Sequence, residues 1–161
     1  MRTALKRTYI GIDPGTTGGI AILVPGQRFS VFPMPYRDGA YDEQTICAYL
    51  EAHENPMAIV EKVHSRPGNS ARSMFGFGTG YGLLLGILAA FAIPKELVMP
   101  QRWQIAMLAG ENKSDTKAAS RRVAKRLFPG VNFFATSRSV IESHGMTDAA
   151  LLAEYGRRMR L

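Results

Sequence analysis

The chain has 161 residues, 46% of them hydrophobic, so it can bury a sizeable core without disulfides or structural metal. Its 20 Lys and Arg against 13 Asp and Glu leave a formal charge of +7, which makes a polyanion a natural partner. The single cysteine, Cys47, excludes an internal disulfide framework and any zinc site built on two thiolates, and it fits a reducing, cytoplasmic compartment.

Met1 to Lys6 is too short for a signal peptide and lacks the apolar stretch of one. Residues 8–14 predict a strand closed by Pro14, followed by a Gly15–Gly19 turn and a second strand from Ile20 to Val24. Pro25-Gly26 marks a hairpin, and Arg28 to Phe32 supplies a third strand, so the chain opens on an antiparallel meander. Tyr41 to Ala52 has helical spacing, and Met57 to Glu61 predicts a short buried strand before a loop from His64 to Asn69. Helix followed by strand implies a crossover connection.

From Ser73 to Pro94 the chain carries no charge, which is long enough to span a bilayer. Five glycines (Gly76, Gly78, Gly80, Gly82, Gly86) dilute that run. The expectation is instead a helix capped by Ser70 or Ser73, ending near Phe91 and buried on several sides, its glycines letting neighbouring backbones come close. Glu96 to Met99 predicts a fifth strand, and Pro100 suits the first turn of a further helix. Ser114 and Asp115 are caps for a basic amphipathic helix reaching Phe128, stopped by Pro129-Gly130. Val131 to Ser143 reads as irregular and mobile, and a last helix begins near Gly145. Residues 1–161 are thus expected to form one α/β domain, a mixed five-stranded sheet of a three-strand antiparallel meander plus two parallel strands, flanked by helices.

The basic surplus is uneven. Residues 1–100 carry 9 basic and 8 acidic side chains, residues 101–161 carry 11 and 5. A basic patch in the last third suits nucleic acid, and it also suits a merely solvated helix face.

The carboxylates decide between those. Alternation places Asp13 at the end of the first strand and Glu61 at the end of the fourth, adjacent if the two strands pair. His144 and Asp148, four residues apart near the start of the last helix, share one face. If that helix packs over the strand ends, Asp13, Glu61, His144 and Asp148 converge into an oxygen-rich site suited to Mg²⁺ or Mn²⁺. Two such ions roughly 3.5–4 Å apart activate water and steady the leaving oxygen of a phosphodiester. Singly, each residue has an ordinary role as turn acid, strand end or helix first-turn group, but those roles do not account for the joint placement.

Ile10-Gly-Ile-Asp13-Pro-Gly-Thr-Thr-Gly18, the strand end Ile59-Val-Glu61, the glycine- and aromatic-rich helix that follows, and His144-Gly-Met-Thr-Asp148-Ala-Ala-Leu-Leu together resemble RuvC-type Holliday-junction resolvases of the RNase H-like fold. Phe77-Gly-Thr-Gly-Tyr-Gly-Leu-Leu-Leu-Gly, the pairing of Pro100 with Trp103, and Ser120-Arg-Arg-Val-Ala-Lys-Arg-Leu-Phe-Pro129 are closest in style to the phage and chloroplast branch. The resemblance implies a homodimer that cuts paired strands of a four-way DNA junction with two Mg²⁺ per site, in the cytoplasm of a bacterium or a phage-infected cell. It assigns the metals to Asp13, Glu61 and Asp148, and Lys117 to the neighbourhood of the scissile phosphate. Many members carry an acid or histidine three residues before the last acid; here that position is Gly145, and His144 takes its place as ligand or proton relay.

Arg66, Asn69 and Arg72 are candidates for phosphate contacts in or beside the loop after Glu61. Met74, Phe75 and Phe77 are candidates for a wedge at a junction's centre, or for core. Arg121, Arg122, Lys125 and Arg126 suit backbone contacts along the basic helix. An actin-like or sugar-kinase ATPase shares the Asp13-Pro-Gly-Thr-Thr-Gly pattern but needs a second phosphate loop and an adenosine site that 161 residues cannot house, so no nucleotide cofactor is expected. A non-catalytic DNA-binding module leaves the acids unused. An RNase H-type, flap or branch nuclease shares fold and metals and stands as the alternative within the class.

Overall fold

The computed structural model describes residues 7–63, 68, 70–112 and 114–161. In chain order the elements are β1 (Thr8–Asp13), β2 (Gly19–Leu23), β3 (Ser30–Pro33), the two-residue strands β4 (Tyr36–Arg37) and β5 (Ala40–Tyr41), α1 (Glu43–Leu50), β6 (Pro56–Glu61), α2 (Ala71–Ala90), β7 (Lys95–Val98), α3 (Pro100–Met107), α4 (Thr116–Leu127) and α5 (His144–Met159). The main sheet has the order β3-β2-β1-β6-β7. β1, β2 and β3 pair antiparallel, while β6 pairs parallel to both β1 and β7, as the sequence predicts.

Alternation along the strands divides the core in two. Ile10, Ile12, Ile20, Ala58 and Val60 face α1 and α2, meeting Ile46, Leu50, Leu84, Ile87 and Leu88. Tyr9, Ala21, Ile59 and Val98 face α3, α4 and α5, meeting Trp103, Met107, Val123, Leu151 and Leu152. The stacked rings of Phe32 and Tyr49, centroids 4.0 Å apart, pin α1 to β3.

Boundaries move where caps and strand pairing decide them. The third strand begins at Ser30 and runs through Pro33, not Arg28 to Phe32, because pairing with β2 starts at Ser30. α1 starts at Glu43, its carboxylate cap Asp42 accepting from the Thr45 N–H at 3.0 Å. Ser70 is the cap of α2, Asp115 of α4, and Ser143 of α5, which places His144 at the first helical position. The β4–β5 hairpin is an addition the sequence did not announce.

One expectation is overturned. α2 is not buried on several sides: it lays one stripe (Gly80, Leu84, Ile87, Leu88) on the sheet and leaves much of its surface open. A Cβ at Gly76, Gly78, Gly82 or Gly86 would meet nothing within 4 Å, and only Gly80 is packed, under the Tyr41 ring. By length and composition α2 could cross a membrane, and its buried stripe belongs to the core of this sheet. The segment from Val131 to Ser143 is irregular, as expected, and it is anchored at its base, where Phe133 is buried and its carbonyl accepts from the Ser143 N–H at 2.8 Å.

Close backbone approach occurs on the opposite face, at α5. A Cβ on Gly11 would strike the Ala149 carbonyl oxygen and, at 2.5 Å, the Ala153 nitrogen; one on Gly19 would meet the Gly145 oxygen at 2.8 Å. On the helix, a Cβ at Gly145 would lie 2.5 Å from Gly18 Cα, and one at Gly156 2.6 Å from Ile59 Cγ1. Four glycines thus seat α5 directly on β1, β2 and β6.

Candidate active site

Seating α5 on the sheet decides where Asp148 goes. Every residue from Gly145 to Gly156 is buried except Asp148, whose side chain is left at the one opening in that contact. β1 delivers Asp13 to the same place, since the turn after it folds back sharply: Gly15 has φ +110° and its carbonyl accepts from the Gly18 N–H at 3.0 Å. β6 runs beside β1 with Gly11 opposite Ile59 and Ile12 opposite Val60, so Glu61 sits at the register position next to Asp13.

The three carboxylates feel one another. Burial, then the charges of Asp148 and Glu61, hold Asp13 well above the usual carboxylate range. Burial likewise pushes Asp148 up to about 7, with Glu61 adding to the rise and the Ser120 hydroxyl, Lys117 and Arg121 opposing it. The Asp148 Oδ1 atom is buried without a hydrogen-bond partner. Glu61 is oriented from α3: the indole N–H of fully buried Trp103 donates to its Oε2 at 2.8 Å.

A cluster of acids with an orphaned buried oxygen and raised proton affinities fits a divalent cation, which would remove the mutual repulsion and supply the missing partner. Among the described residues no three His, Cys, Asp or Glu side chains stand at coordinating spacing. Asp13, Glu61 and Asp148 are the groups that would hold it.

His144 lies one turn before Asp148, half-buried, and its pKa is lowered by burial and by Lys117 and Arg121. The ring is therefore neutral near pH 7, the form that accepts a proton or ligates a metal. Lys117 and Arg121, four apart on α4, share the face turned to His144 and Asp148.

The remaining basic candidates are engaged elsewhere. Arg122 and Arg126 both clasp Glu111, at 3.0 and 3.1 Å, and Lys125 pairs with Glu142 at 2.7 Å. Those bonds hold the Glu111 and Glu142 carboxyls below their ordinary range. On α2, Phe75 is 80% exposed near the helix N-terminus, Arg72 is exposed beside it, and Phe77 turns inward, 3.3 Å from where a Gly15 Cβ would stand. Arg66 and Asn69 lie outside the described residues. Sequence reasoning missed Trp103 as the partner of Glu61 and Ser120 as a neighbour of Asp148. The spacing Lys117, Ser120, Arg121 on one helix was the available sign of the second, and nothing local signals the first.

No family model matches the chain, and no curated protein matches it in sequence. Solved structures do. RuvC of Thermus thermophilus superposes with a TM-score of 0.59 at 17% identity, covering 95% of this chain and 96% of that one. T. thermophilus RuvC in complex with Holliday junction substrate gives 0.56 at 15%, with the same coverage. The yeast mitochondrial Holliday junction resolvase gives 0.61 at 18%, covering 97% of this chain and 80% of that one. The five-stranded mixed sheet with its flanking helices is thus the RNase H-like fold of RuvC-type proteins.

Proposed function

We propose that the chain is a metal-dependent, structure-selective DNA endonuclease that resolves four-way junctions by paired, symmetric nicks. The observation that carries this reading is the meeting of Asp13, Glu61 and Asp148 at one end of the sheet, with the Asp148 Oδ1 atom unpartnered and Lys117 and Arg121 alongside. The likeness to junction resolvases supports the choice of substrate. The phage and chloroplast affinity rests on the sequence motifs alone.

When bound, Mg²⁺ or Mn²⁺ supplies Lewis acidity toward the scissile phosphate and its attacking water. Asp13, Glu61 and Asp148 would hold the cations, and His144 would either join them or take the proton of the attacking water. Trp103 keeps Glu61 aimed, so that the carboxylate does not turn toward solvent when the site is empty of substrate. Lys117 and Arg121 neutralise the approaching phosphate. Arg122, Lys125 and Arg126 reach DNA by exchanging Glu111 and Glu142 for phosphate oxygens, a swap of one charge-assisted bond for another.

Two symmetric nicks need two sites related by a two-fold axis, hence two chains. The exposed face of α2 suits that contact. Gly78, Gly82, Gly86 and Ala90 recur every four residues along it, uncharged and open.

The test is cleavage of labelled four-way junction, linear duplex and RNA–DNA hybrid in Mg²⁺. Paired nicks confined to the junction are expected. Cleavage of the hybrid alone would replace the reading with an RNase H-type activity, and failure to cut any of the three would remove it.

A further inference from the structure

Residues 101–161 carry 11 basic side chains and only 5 acidic ones, and the acids are not scattered. Asp115 caps α4, Asp148 belongs to the acid cluster, and Glu154 bonds Arg157 and Arg158. The other two, Glu111 and Glu142, both lie on cations of α4. Glu111 takes one guanidinium on each carboxylate oxygen, Arg122 Nε on Oε2 at 3.0 Å and Arg126 Nη1 on Oε1 at 3.1 Å. Glu142 Oε1 accepts from Lys125 Nζ at 2.7 Å.

Neither loop relies on these bonds for its shape. Gly110 turns the chain at φ +83° and the Glu111 N–H then donates to the Leu108 carbonyl at 3.1 Å, while Ser143, next to Glu142, donates to the carbonyl of buried Phe133. Ion pairs whose cations are more than half exposed add little to stability. What these pairs do is occupy donors. A carboxylate bridging two guanidinium groups uses the same N–H groups that the oxygens of a phosphate would use. Both carboxylates are largely covered, Glu111 13% and Glu142 20% exposed, so they are held against the helix. Lys117 and Arg121, beside the acid cluster, form no ion pair among the described residues, so the occupied donors are those of the three other cations.

Resting on the nuclease reading above, we infer that Glu111 and Glu142 are built-in competitors of the DNA backbone, which hold the phosphate-binding donors of Arg122, Lys125 and Arg126, weaken the grip of α4 on any duplex and so speed release of the cut arms. Resolving a junction turns it into two linear duplexes, which keep every phosphate that α4 can contact. An enzyme held chiefly by phosphates stays on that product, and release then limits its turnover. Each carboxylate re-forms its pair as a phosphate leaves, which offsets the loss of that contact and lowers the cost of dissociation.

The experiment compares wild type with Glu111→Gln/Glu142→Gln, as the full chain on linear duplex, with Ca²⁺ in place of Mg²⁺ and over a series of salt concentrations. The variant should bind about 3- to 100-fold tighter, from about 1.5- to 5-fold for each of three exposed pairs. Its plot of log affinity against log salt should be steeper by about 0.9 for each freed cation. Glu51→Gln/Glu54→Gln removes the same charge just after α1, on the other face of the sheet, and should change neither; an equal gain there would reduce the effect to net charge and overturn the inference. On four-way junction in Mg²⁺, Glu111→Gln should lower steady-state turnover relative to the rate of a single turnover with enzyme in excess. Tighter duplex binding with that ratio unchanged would overturn the role in release. Duplex affinity and slope equal to wild type would overturn the competition itself, and a lowered thermal midpoint alongside would make the two glutamates struts for their loops instead. Failure of wild type to cut any junction, with the tighter duplex binding of the variant retained, would remove the nuclease reading and leave the competition.

Discussion

Glycine does opposite things on the two faces of this sheet. Against α5, Gly11, Gly19, Gly145 and Gly156 each occupy a point where a Cβ would strike backbone or a packed side chain. On α2, Gly76, Gly78, Gly82 and Gly86 face open space, and the helix holds the sheet by a single stripe. The first set brings one helix into backbone contact and thereby fixes a carboxylate. The second leaves a helix smooth, uncharged and available to another surface. Residue type alone does not separate the two, and only the neighbours do.

The largest effects belong to the α5 side. Asp13→Asn, Glu61→Gln and Asp148→Asn should each lower junction cleavage by more than the about 10- to 100-fold that loss of a residue supporting a metal ligand produces, with junction binding kept. Near wild-type cleavage by any of them would detach that carboxylate from the chemistry. Trp103→Phe keeps most of the buried volume and removes the bond to Glu61; cleavage should fall by about 10- to 100-fold and demand more Mg²⁺. Gly11→Ala should destabilise by about 3 kcal/mol or prevent folding, since neither backbone can give way. A denaturant midpoint equal to wild type would end the claim that α5 touches the sheet there.

Protonation sharpens the same contrast. Because Asp13 and Asp148 hold protons more tightly in the folded state than unfolded, the metal-free fold binds more protons than the unfolded chain between about pH 4 and pH 7, and loses stability as pH rises through that window. Asp148→Asn, inactive, should therefore melt about 3 °C or more above wild type at pH 8 in a chelator, and match it near pH 4. About 1 kcal/mol moves the midpoint of a chain this long by about 2–4 °C. No gain at pH 8 would mean that Asp148 is not held in a desolvated, repulsive setting. Smallest is Gly82→Ala on the open face of α2. It should raise monomer stability by up to about 1 kcal/mol, through helix propensity alone, while weakening self-association in sedimentation. Unchanged association would remove that face from the proposed contact between two chains.

The sheet was legible because its strands announce themselves by alternation and by Pro14 and Pro25-Gly26, and the parallel pairing of β1 and β6 followed from the helix between them. Asp13, Glu61 and Asp148 were legible for the same reason, since strand ends and helix faces are set by period. The burial of α2 was misread because a helix crowded with apolar and small residues has the same composition whether it is enclosed or half-covered. The engagement of Arg122, Lys125 and Arg126 escaped notice because their partners, Glu111 and Glu142, lie 11 to 17 residues away across loops. Trp103 reaches Glu61 across 42 residues of chain, a distance that no local period spans.

Where two backbones touch, no side chain lies between them to be exchanged for a larger or smaller one. The separation of Asp13 from Asp148 is therefore set like a machined gap, by the thickness of main chain at Gly11 and Gly145, and not by how well the surrounding Ile, Leu and Val interlock. Repacking the core on either side with side chains of other sizes is therefore expected to leave the gap between the two acids in place, provided those glycines stay.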